Sequence, residues 1–548
     1  MRIDIKSALL TAVCAASAVA VVSGVGSGAS GQQPATGSQA RGVPRTAEGR
    51  PDFSGIWQVM NTASWNILPH AASIDGPAGP GVVVGDELPY LRSALPKQDE
   101  NYRDRKTADT DPKCFLPGVP RVMYQPYPFQ FFQTPTVVRM AFEYGHATRN
   151  VYMNTPHPKG PIEWRMGDSR GRWEGDTLVV DVVHFSGETW LDRAGNYHSP
   201  AMHVVERYTF LDPDHIQYEA TIEDPSVFSR PWKMRMILYR HLEPNFQLLE
   251  YDCLTFADEA AGNLAPPKPD RASPAGETAS SAPARSAAAV ASPAAAGQGL
   301  TIAGQWANGG DAGVGQANYT LEFGFPEAHA ALLGVASTRH SVIVDPPDGR
   351  IPFQPWAMAV REARDKIHED FAHMKSKDLD SQAKCYPTGV PRFANRGGPF
   401  ITVFPNHVLL QVEYGHEYRI IYTDGRPRLP KQIKLWNGDS RGHWEGATFV
   451  VETTNLNGYA WLDVIGSFLS DQATVVERFT PLDANTLRWT GTVTDPIVFT
   501  RPWTMGWNYV RTQGQGAEAE IWEFGCAEGN HFGAWDDIYA RELAPTTR

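Results

Sequence analysis

The sequence lacks the short motifs that mark the common cofactor-dependent enzymes. It contains neither a Walker phosphate-binding loop nor a Rossmann dinucleotide fingerprint, and C-x-x-C and H-E-x-x-H are absent as well. These motifs supply the backbone and ligand geometry for nucleotide-dependent and zincin chemistry. We therefore expect no organic cofactor and no metal site.

Positive charge is also in short supply. Lys and Arg number 49 against 61 Asp and Glu, which gives a formal net charge of -12. A chain of this sign repels polyanions, so nucleic acid and anionic membrane surfaces are not expected partners. The sequence also lacks an uninterrupted apolar run of about 18 residues, so we expect no membrane span.

Turn-forming and aromatic residues, by contrast, are abundant. The 548 residues include 49 Gly, 43 Pro, 16 Trp, 19 Tyr and 24 Phe. This composition suits many short strands better than a helical bundle. The length exceeds that of one ordinary domain, so at least two domains are expected.

Residues 1–31 have the layout of a secretory signal. Arg2 and Lys6 precede an apolar run over residues 8–22, and small polar residues follow. The run is shorter than the roughly 20 residues that span a bilayer. We expect the segment to be removed and the mature protein to be periplasmic or extracellular. A lipid anchor at Cys14 is the alternative, but no small residue directly precedes this cysteine.

The remainder of the chain contains an internal repeat. Residues 114–121 (CFLPGVPR) return as 385–392 (CYPTGVPR), and residues 167–175 (GDSRGRWEG) return as 438–446 (GDSRGHWEG). The offset between matched residues stays nearly constant over many further matches. The pattern indicates a tandem duplication.

An Ala-, Pro- and Ser-rich tract over residues 259–300 separates the two copies. Such a tract has too little apolar surface to offset its ordering entropy, so we predict a flexible linker. The predicted domains are therefore residues 45–258 and residues 301–548.

Each copy is predicted to consist of short antiparallel strands separated by turn sequences such as Asp224-Pro225. In the first copy the predicted strands are 129–133, 136–143, 148–153, 172–174, 177–184, 203–210, 216–223, 232–241 and 246–253. The fold class is all-β, a tandem pair of up-and-down barrels or closed sandwiches. One short helical insertion is predicted in the second copy over residues 355–375, where apolar residues recur at roughly helical spacing.

Four of the five cysteines fall within the repeat. Cys114 and Cys253 in the first copy have nearly the same spacing as Cys385 and Cys526 in the second. In an exported chain this spacing predicts one disulfide per copy, Cys114–Cys253 and Cys385–Cys526. Two pairs of buried thiols are the alternative.

The first copy carries its densest set of titratable side chains over residues 184–203. The set comprises His184, Glu188, Asp192, His198 and His203. Imidazoles near carboxylates supply acid/base catalysis without a cofactor. The second copy has Asn455, Leu469 and Thr474 at the positions of the three histidines, so the first copy is the better catalytic candidate. A solvated loop explains the same residues.

The predicted catalytic residues are His184, Asp192, His198 and Glu188. His184 or His198 would move the proton, and Asp192 would orient the imidazole. Trp190 lies in the same loop and would pack on the substrate. His198 and His203 do not have the spacing that places two rings on one face, which argues against a metal site.

A second candidate group surrounds a predicted tight turn. Glu143, His146 and Arg149 could form a polar lip at a barrel rim, and with Trp190 and His203 they are the predicted binding residues. A local salt bridge that fixes the hairpin is the alternative, and the repetition of these residues in the second copy favours it.

The two copies of Gly-Asp-Ser-Arg-Gly fit the G-x-S-x-G pattern of a hydrolase nucleophile. Hairpin sequence follows Ser169 and Ser440, whereas that motif needs a helix after the serine. We therefore predict a polar turn at both positions.

Residues 167–180 (GDSRGRWEGDTLVV), with Trp190-Leu-Asp192 and Arg230-Pro-Trp232, resemble a large family of secreted bacterial proteins with no assigned activity. The likeness covers most of each copy and implies no particular reaction. The second copy departs from the pattern at Ala447 and Leu469. In architecture the chain is similar to calycin- or lipocalin-like barrels, including two-barrel proteins that hydrate or cyclise isoprenoids.

These observations predict an exported, cofactor-independent acid/base enzyme of the lyase, isomerase, hydratase or hydrolase type. Its substrate would be an aromatic, isoprenoid or glycosidic small molecule. The alternative is a non-catalytic periplasmic protein that binds such a ligand, and a structural envelope protein is a third possibility. The oligomeric state does not follow from the sequence.

Overall fold

The computed structural model describes residues 42–74, 76–260, 264, 267–269, 300–308, 320–322, 341–369, 374–375, 378–395, 398–512 and 520–526. The predicted signal segment, with Cys14, and most of the predicted linker lie outside the described residues. Within these ranges, no helix is both long and apolar enough to cross a membrane.

The first copy closes into a barrel of nine strands, because β1 pairs with both β2 and β9. Its strands are β1 Gly55–Val59, β2 Phe129–Gln133, β3 Val137–Phe142, β4 Thr148–Met153, β5 Asp168–Glu174, β6 Thr177–Val183, β7 His203–Asp212, β8 His215–Glu223 and β9 Trp232–Arg240. Neighbouring strands are antiparallel except for the parallel pair β4 and β5.

The second copy repeats this barrel, closed by β10 on β12 and β19, with β11 as an additional strand on β19. Its strands are β10 Gly304–Asn308, β11 Ile343–Asp345, β12 Phe400–Val403, β13 His407–Gln411, β14 Tyr418–Tyr422, β15 Asp439–Glu445, β16 Thr448–Thr454, β17 Thr474–Pro481, β18 Thr486–Thr494 and β19 Trp503–Arg511. The all-β tandem prediction is confirmed.

Alternation of side chains explains why these segments form strands around a core. On β8, Ile216, Tyr218, Ala220 and Ile222 are fully buried, and more polar residues between them face outward. A period of two is the spacing of one face of a strand. The buried face points into the barrel, and each barrel therefore has its own hydrophobic core.

Two local predictions are wrong. Residues 246–253 form no strand, and β1, which was not predicted, completes the barrel instead. Ser169 and Ser440 lie in β5 and β15 rather than in turns, because the Gly-Asp-Ser segment already pairs with the following strand. A glycine before each aspartate, with φ near +67°, makes the turn one residue earlier than predicted.

The helix in the second copy is not an insertion. It runs over Pro355–Glu369, and a helix of similar length, Leu95–Ala108, lies in the first copy. We label these α3 and α1, and Cys253–Ala260 is α2. The first-copy helix is polar nearly all round, with only Asn101 buried, so it has no apolar stripe for sequence periodicity to detect.

The chain after the last strand of each barrel crosses to the other barrel. Residues 246–252, the first strap, and residues 520–526, the second strap, make reciprocal contacts. The Glu523 carboxylate accepts the backbone N–H groups of Arg165 and Met166, both at 2.8 Å. Glu250 does the same for Trp436 and Asn437. The straps therefore link the two barrels.

Side chains between the barrels complete this interface. Phe132, Ala141, Leu248, Leu409 and Tyr418 form a shared apolar cluster. The Tyr418 hydroxyl donates to the Phe142 carbonyl at 3.0 Å. The predicted disulfide Cys385–Cys526 is confirmed, and it ties the second strap to its own barrel. Cys114 is also disulfide-bonded, whereas the side chain of Cys253, its predicted partner, lies outside the described residues.

Candidate functional site

Asp192 is buried completely and holds two chain segments together. Its carboxylate accepts the Ile67 N–H at 2.9 Å, and it accepts the backbone and side-chain N–H groups of Asn196. Burial raises the pKa of Asp192 to about 6. Asp463 makes equivalent contacts in the second copy, so these bonds belong to the architecture that both copies share.

His198 lies in the same loop but does not meet Asp192. Its Nε2 lies 2.7 Å from the Thr189 hydroxyl and its Nδ1 lies 3.1 Å from the Ser199 carbonyl. Burial lowers the pKa of His198. Trp190 is nearly buried, and exposed Glu188 forms an ion pair with Arg165.

Glu143, His146 and Arg149 separate into three environments. The Glu143 carboxylate accepts the Leu249 N–H of the first strap at 2.8 Å. His146 is buried between the barrels, where burial and the neighbouring His416 lower its pKa to about 3. Arg149 points into the first barrel and pairs with fully buried Glu206. The three residues form neither a lip nor a local salt bridge.

His184 and His203, in contrast, lie in one cluster with residues that the sequence did not single out. His157 donates to Asp168 at 2.5 Å and to Asp181 at 2.9 Å. His203 donates to the second oxygen of Asp181 at 3.0 Å. Asp181 thus joins two histidines.

Charges explain how this network titrates. Burial opposes protonation of His157, but its hydrogen bonds to Asp168 and Asp181 outweigh burial and raise its pKa to about 9. The hydrogen bond to Asp181 raises the pKa of His203, and the two histidines lower that of Asp181. His157 is therefore a cation at neutral pH, with both ring protons held by carboxylates.

Three further rings extend the cluster. The centroid of His184 lies 6.2 Å from that of His157 and 6.4 Å from that of Trp164. Trp522 of the second strap lies 6.1 Å from Trp164, with the two indole planes at 77°. We call His157, Trp164, His184, His203 and Trp522 the ring cluster.

Trp522 is 61% exposed although its neighbours fix the strap. Glu520 pairs with Arg170, the Ile521 N–H donates to the Tyr152 hydroxyl at 2.7 Å, and Glu523 holds two backbone N–H groups. Because the backbone of Trp522 is already anchored, its exposed indole can stack on a flat ligand at little cost in conformational entropy. Trp164 and Trp522 also line a small cavity of about 70 Å³ that reaches Arg149 and Ser169.

The second barrel carries different residues at every position of the ring cluster. Leu435 occupies the position of Trp164, as the matching bridges to residues 185 and 456 show. Leu249 directly precedes Glu250 of the first strap, just as Trp522 directly precedes Glu523 of the second strap. Asn455, Arg428 and Thr474 replace His184, His157 and His203. The ring cluster is thus a property of the first barrel alone.

Two members of the cluster were out of reach of motif analysis. His157 lies in the connection between β4 and β5, outside the 184–203 window. Trp522 comes from the other copy of the repeat and reaches the first barrel only because the straps cross. The replacement of His157 by Arg428 between aligned copies was the available signal.

Within the described ranges, no group of three or more His, Cys, Asp or Glu side chains is arranged to hold a metal ion. Asp181 instead uses its two oxygens as hydrogen-bond acceptors. No protein-family model matches the chain, and no curated protein matches it either.

Proposed function

We propose that the first barrel recognises a small molecule with an aromatic or glycosidic ring at the ring cluster. The observation that carries the proposal is the difference between the copies. Five rings lie at positions where the second barrel has two leucines, an amide, a guanidinium and a hydroxyl. The shared fold does not require rings at these positions, because the second barrel closes without them.

The indoles provide the binding surface in this proposal. Trp164 and Trp522 meet at 77° and form a corner with two aromatic faces. Aromatic faces attract flat rings and the C–H faces of sugars. The polar edge of the ligand would face His184, His157 and His203.

We further propose that His184 exchanges a proton with the bound molecule. The Nε2 of His184 lies 3.1 Å from the Pro158 carbonyl, which selects the tautomer that leaves Nδ1 as an acceptor. Cationic His157 would place a positive charge beside the bound molecule, while Asp168 and Asp181 hold both of its ring protons. A positioned imidazole that accepts a proton can act as a general base without a cofactor.

The catalytic roles predicted for His198, Asp192, Glu188 and Trp190 stay predictions. Neighbouring groups already engage the polar atoms of His198 and Asp192. For this reason we assign proton transfer to His184, and binding without turnover remains the competing function.

We also propose that the protein acts in the periplasm or outside the cell, and that it belongs with the secreted proteins whose motif it resembles. The disulfide Cys385–Cys526 supports an oxidising compartment. The layout of residues 1–31 supports export.

A panel of 4-nitrophenyl glycosides tests the proposal on the full mature chain. Calorimetry measures binding, and release of 4-nitrophenolate measures turnover. Trp522→Leu should weaken binding about fivefold, since one aromatic contact contributes about 1 kcal/mol. Leu249→Ala, at the equivalent place on the first strap, should leave affinity unchanged.

His184→Asn separates enzyme from binding protein. Asn455 occupies the same left-handed backbone position, with φ of 59° against 64° for His184, so the substitution preserves the fold. Turnover lost in this variant with binding retained supports acid/base catalysis. Binding with no turnover by the wild type supports the non-catalytic alternative. Equal affinity of Trp522→Leu and the wild type would reject the site.

A further inference from the structure

A much larger cavity lies on the second barrel, beneath helix α2. Its volume is about 690 Å³, whereas three other pockets measure about 70, 50 and 40 Å³. The smaller spaces hold a few water molecules at most. Sites for small organic ligands typically measure about 300–1,000 Å³, so the large cavity has the volume of a ligand site.

The two copies build this cavity together. The first copy supplies the cover, where α2 places Thr255, Phe256 and Glu259 on the wall. The second barrel supplies the floor through residues 434–436, 457–459 and 470–472. Leu264, Pro267, Lys268 and Pro269, which follow α2 along the chain, also line the cavity.

The cover is attached to the floor by side-chain hydrogen bonds. The hydroxyl of Tyr386 donates to Asp258, and that of Tyr459 donates to Glu259 at 3.4 Å. Asp252 caps the start of α2 by accepting the Thr255 N–H at 3.0 Å. Because α2 is held from both sides, the space beneath it is part of the fold.

Aromatic rings dominate the floor. The centroid of Trp436 lies 5.8 Å from that of Tyr459 and 5.6 Å from that of Tyr386. Leu435 and Ile497 add aliphatic surface, and Phe256 faces them from α2. Ile497 and Phe256 are 39% and 47% exposed, so apolar surface is available to an occupant.

Several polar groups of the wall are engaged by neighbouring residues, while Lys268 and Gln472 are exposed. The Lys434 ammonium donates to the Asp471 carbonyl at 2.5 Å, and the Ser470 hydroxyl donates to Asp495 at 2.9 Å. Glu250 accepts the two backbone N–H groups described above. A ligand would therefore meet mainly ring and aliphatic surface, which favours an apolar molecule.

The first barrel shows that the fold does not demand this aromatic floor. Arg165 and Glu188 occupy the positions of Trp436 and Tyr459, and they form an ion pair with each other. In the described part of the chain, an ion pair occupies these positions in one copy, and two aromatic rings line a large cavity in the other. At the ring cluster the first barrel carries the aromatic rings, whereas at this cavity the second barrel carries them.

We propose that this cavity is a second, independent site that binds a neutral, mainly apolar molecule carrying a ring. The site is separate from the ring cluster because none of its lining residues belongs to that cluster. Trp436 and Tyr459 contact the ring of the ligand, and Phe256 covers it.

Titration of the full mature chain with N-phenyl-1-naphthylamine, a neutral fluorophore that brightens in apolar surroundings, tests the proposal. The wild type should show saturable binding. Tyr459→Ala and Phe256→Ala should each weaken the affinity about tenfold. Tyr459→Phe keeps the ring and should stay within about twofold of the wild type.

Trp522→Leu serves as the positional control, since it removes a ring from the other site. Unchanged probe affinity in this variant places the probe away from the ring cluster, whatever the glycoside panel shows. Circular dichroism confirms that each variant keeps its strands. Three results overturn the proposal: no saturable binding, wild-type affinity in both alanine variants, or an equal loss in Trp522→Leu.

Discussion

The two barrels share a buried ion pair inside but differ in the residues of their outer surfaces. In each interior a buried arginine pairs with a fully buried glutamate and contacts a serine of the neighbouring parallel strand. These interior groups are Arg149, Glu206 and Ser169 in the first barrel and Arg419, Glu477 and Ser440 in the second. On the outer surface, the second barrel replaces the five residues of the ring cluster by Leu435, Leu249, Asn455, Arg428 and Thr474.

This contrast separates residues that maintain the barrel from residues that can serve a ligand. Asp192 and Asp463 keep the same backbone contacts in both copies, so their retention reflects architecture. His157 and Arg428 both bridge two carboxylates, yet only the histidine can lose its proton as the pH rises through about 9. A residue that keeps its contacts and changes its chemistry is the more informative functional candidate.

The interior comparison predicts the largest effect. Arg149→Met leaves the Glu206 carboxylate buried without its counter-ion, which should lower the free energy of unfolding by about 3–5 kcal/mol. Arg419→Met should cost the second barrel a similar amount, because Glu477 is equally buried. Urea denaturation of the full chain measures both.

The matching double variants check the cause. Removing both charges, as in Arg149→Met with Glu206→Met, should restore most of the lost stability, since no unpaired charge then stays buried. A double variant as unstable as its single parent would assign the loss to packing. A large effect in only one barrel would break the equivalence of the two interiors.

The strands were predictable because alternation and turn residues act over a few positions. The strands Phe129–Gln133 and Thr148–Met153 begin and end at the predicted residues. Closure of the barrel was harder to predict from the sequence, because β1 is short and its pairing with β2 and β9 spans long stretches of sequence. The polar helix α1 offered no periodic signal at all.

The candidate site was harder to predict than the fold. Its tryptophan corner combines Trp164 of one copy with Trp522 of the other, and only the crossing of the straps brings them together. Density of titratable residues along the sequence drew attention to His184 and His203, whose functional roles stay predictions. It did not distinguish them from His198, whose neighbours in space are the Thr189 hydroxyl and a backbone carbonyl.

Variants of the two straps should change the free energy of unfolding by an intermediate amount. Glu250→Gln and Glu523→Gln each replace a carboxylate that accepts two backbone N–H groups of the other barrel. An amide offers one oxygen, so one N–H loses its partner and the unfolding free energy should fall by about 1–3 kcal/mol. Urea denaturation should show similar losses for both variants. A loss in one variant alone would show that the crossing is not energetically reciprocal.

The smallest predicted effect concerns His157 and its counterpart Arg428. The pKa of His157 is raised to about 9 in the folded protein, from about 6.5 in an unfolded chain. Its contribution to stability is therefore complete below pH 6.5 and is lost as the pH rises through 9. Because the side chain is 26% exposed, solvent screening reduces that contribution to about 1 kcal/mol.

The His157→Arg variant stays charged across this range, so its free energy of unfolding should not fall between pH 6.5 and pH 9 because of this residue. Urea denaturation at pH 6 and pH 9.5 measures the difference, with His203 unchanged in both proteins. Equal pH dependence of the variant and the wild type would show that the titration of His157 makes no measurable contribution to stability.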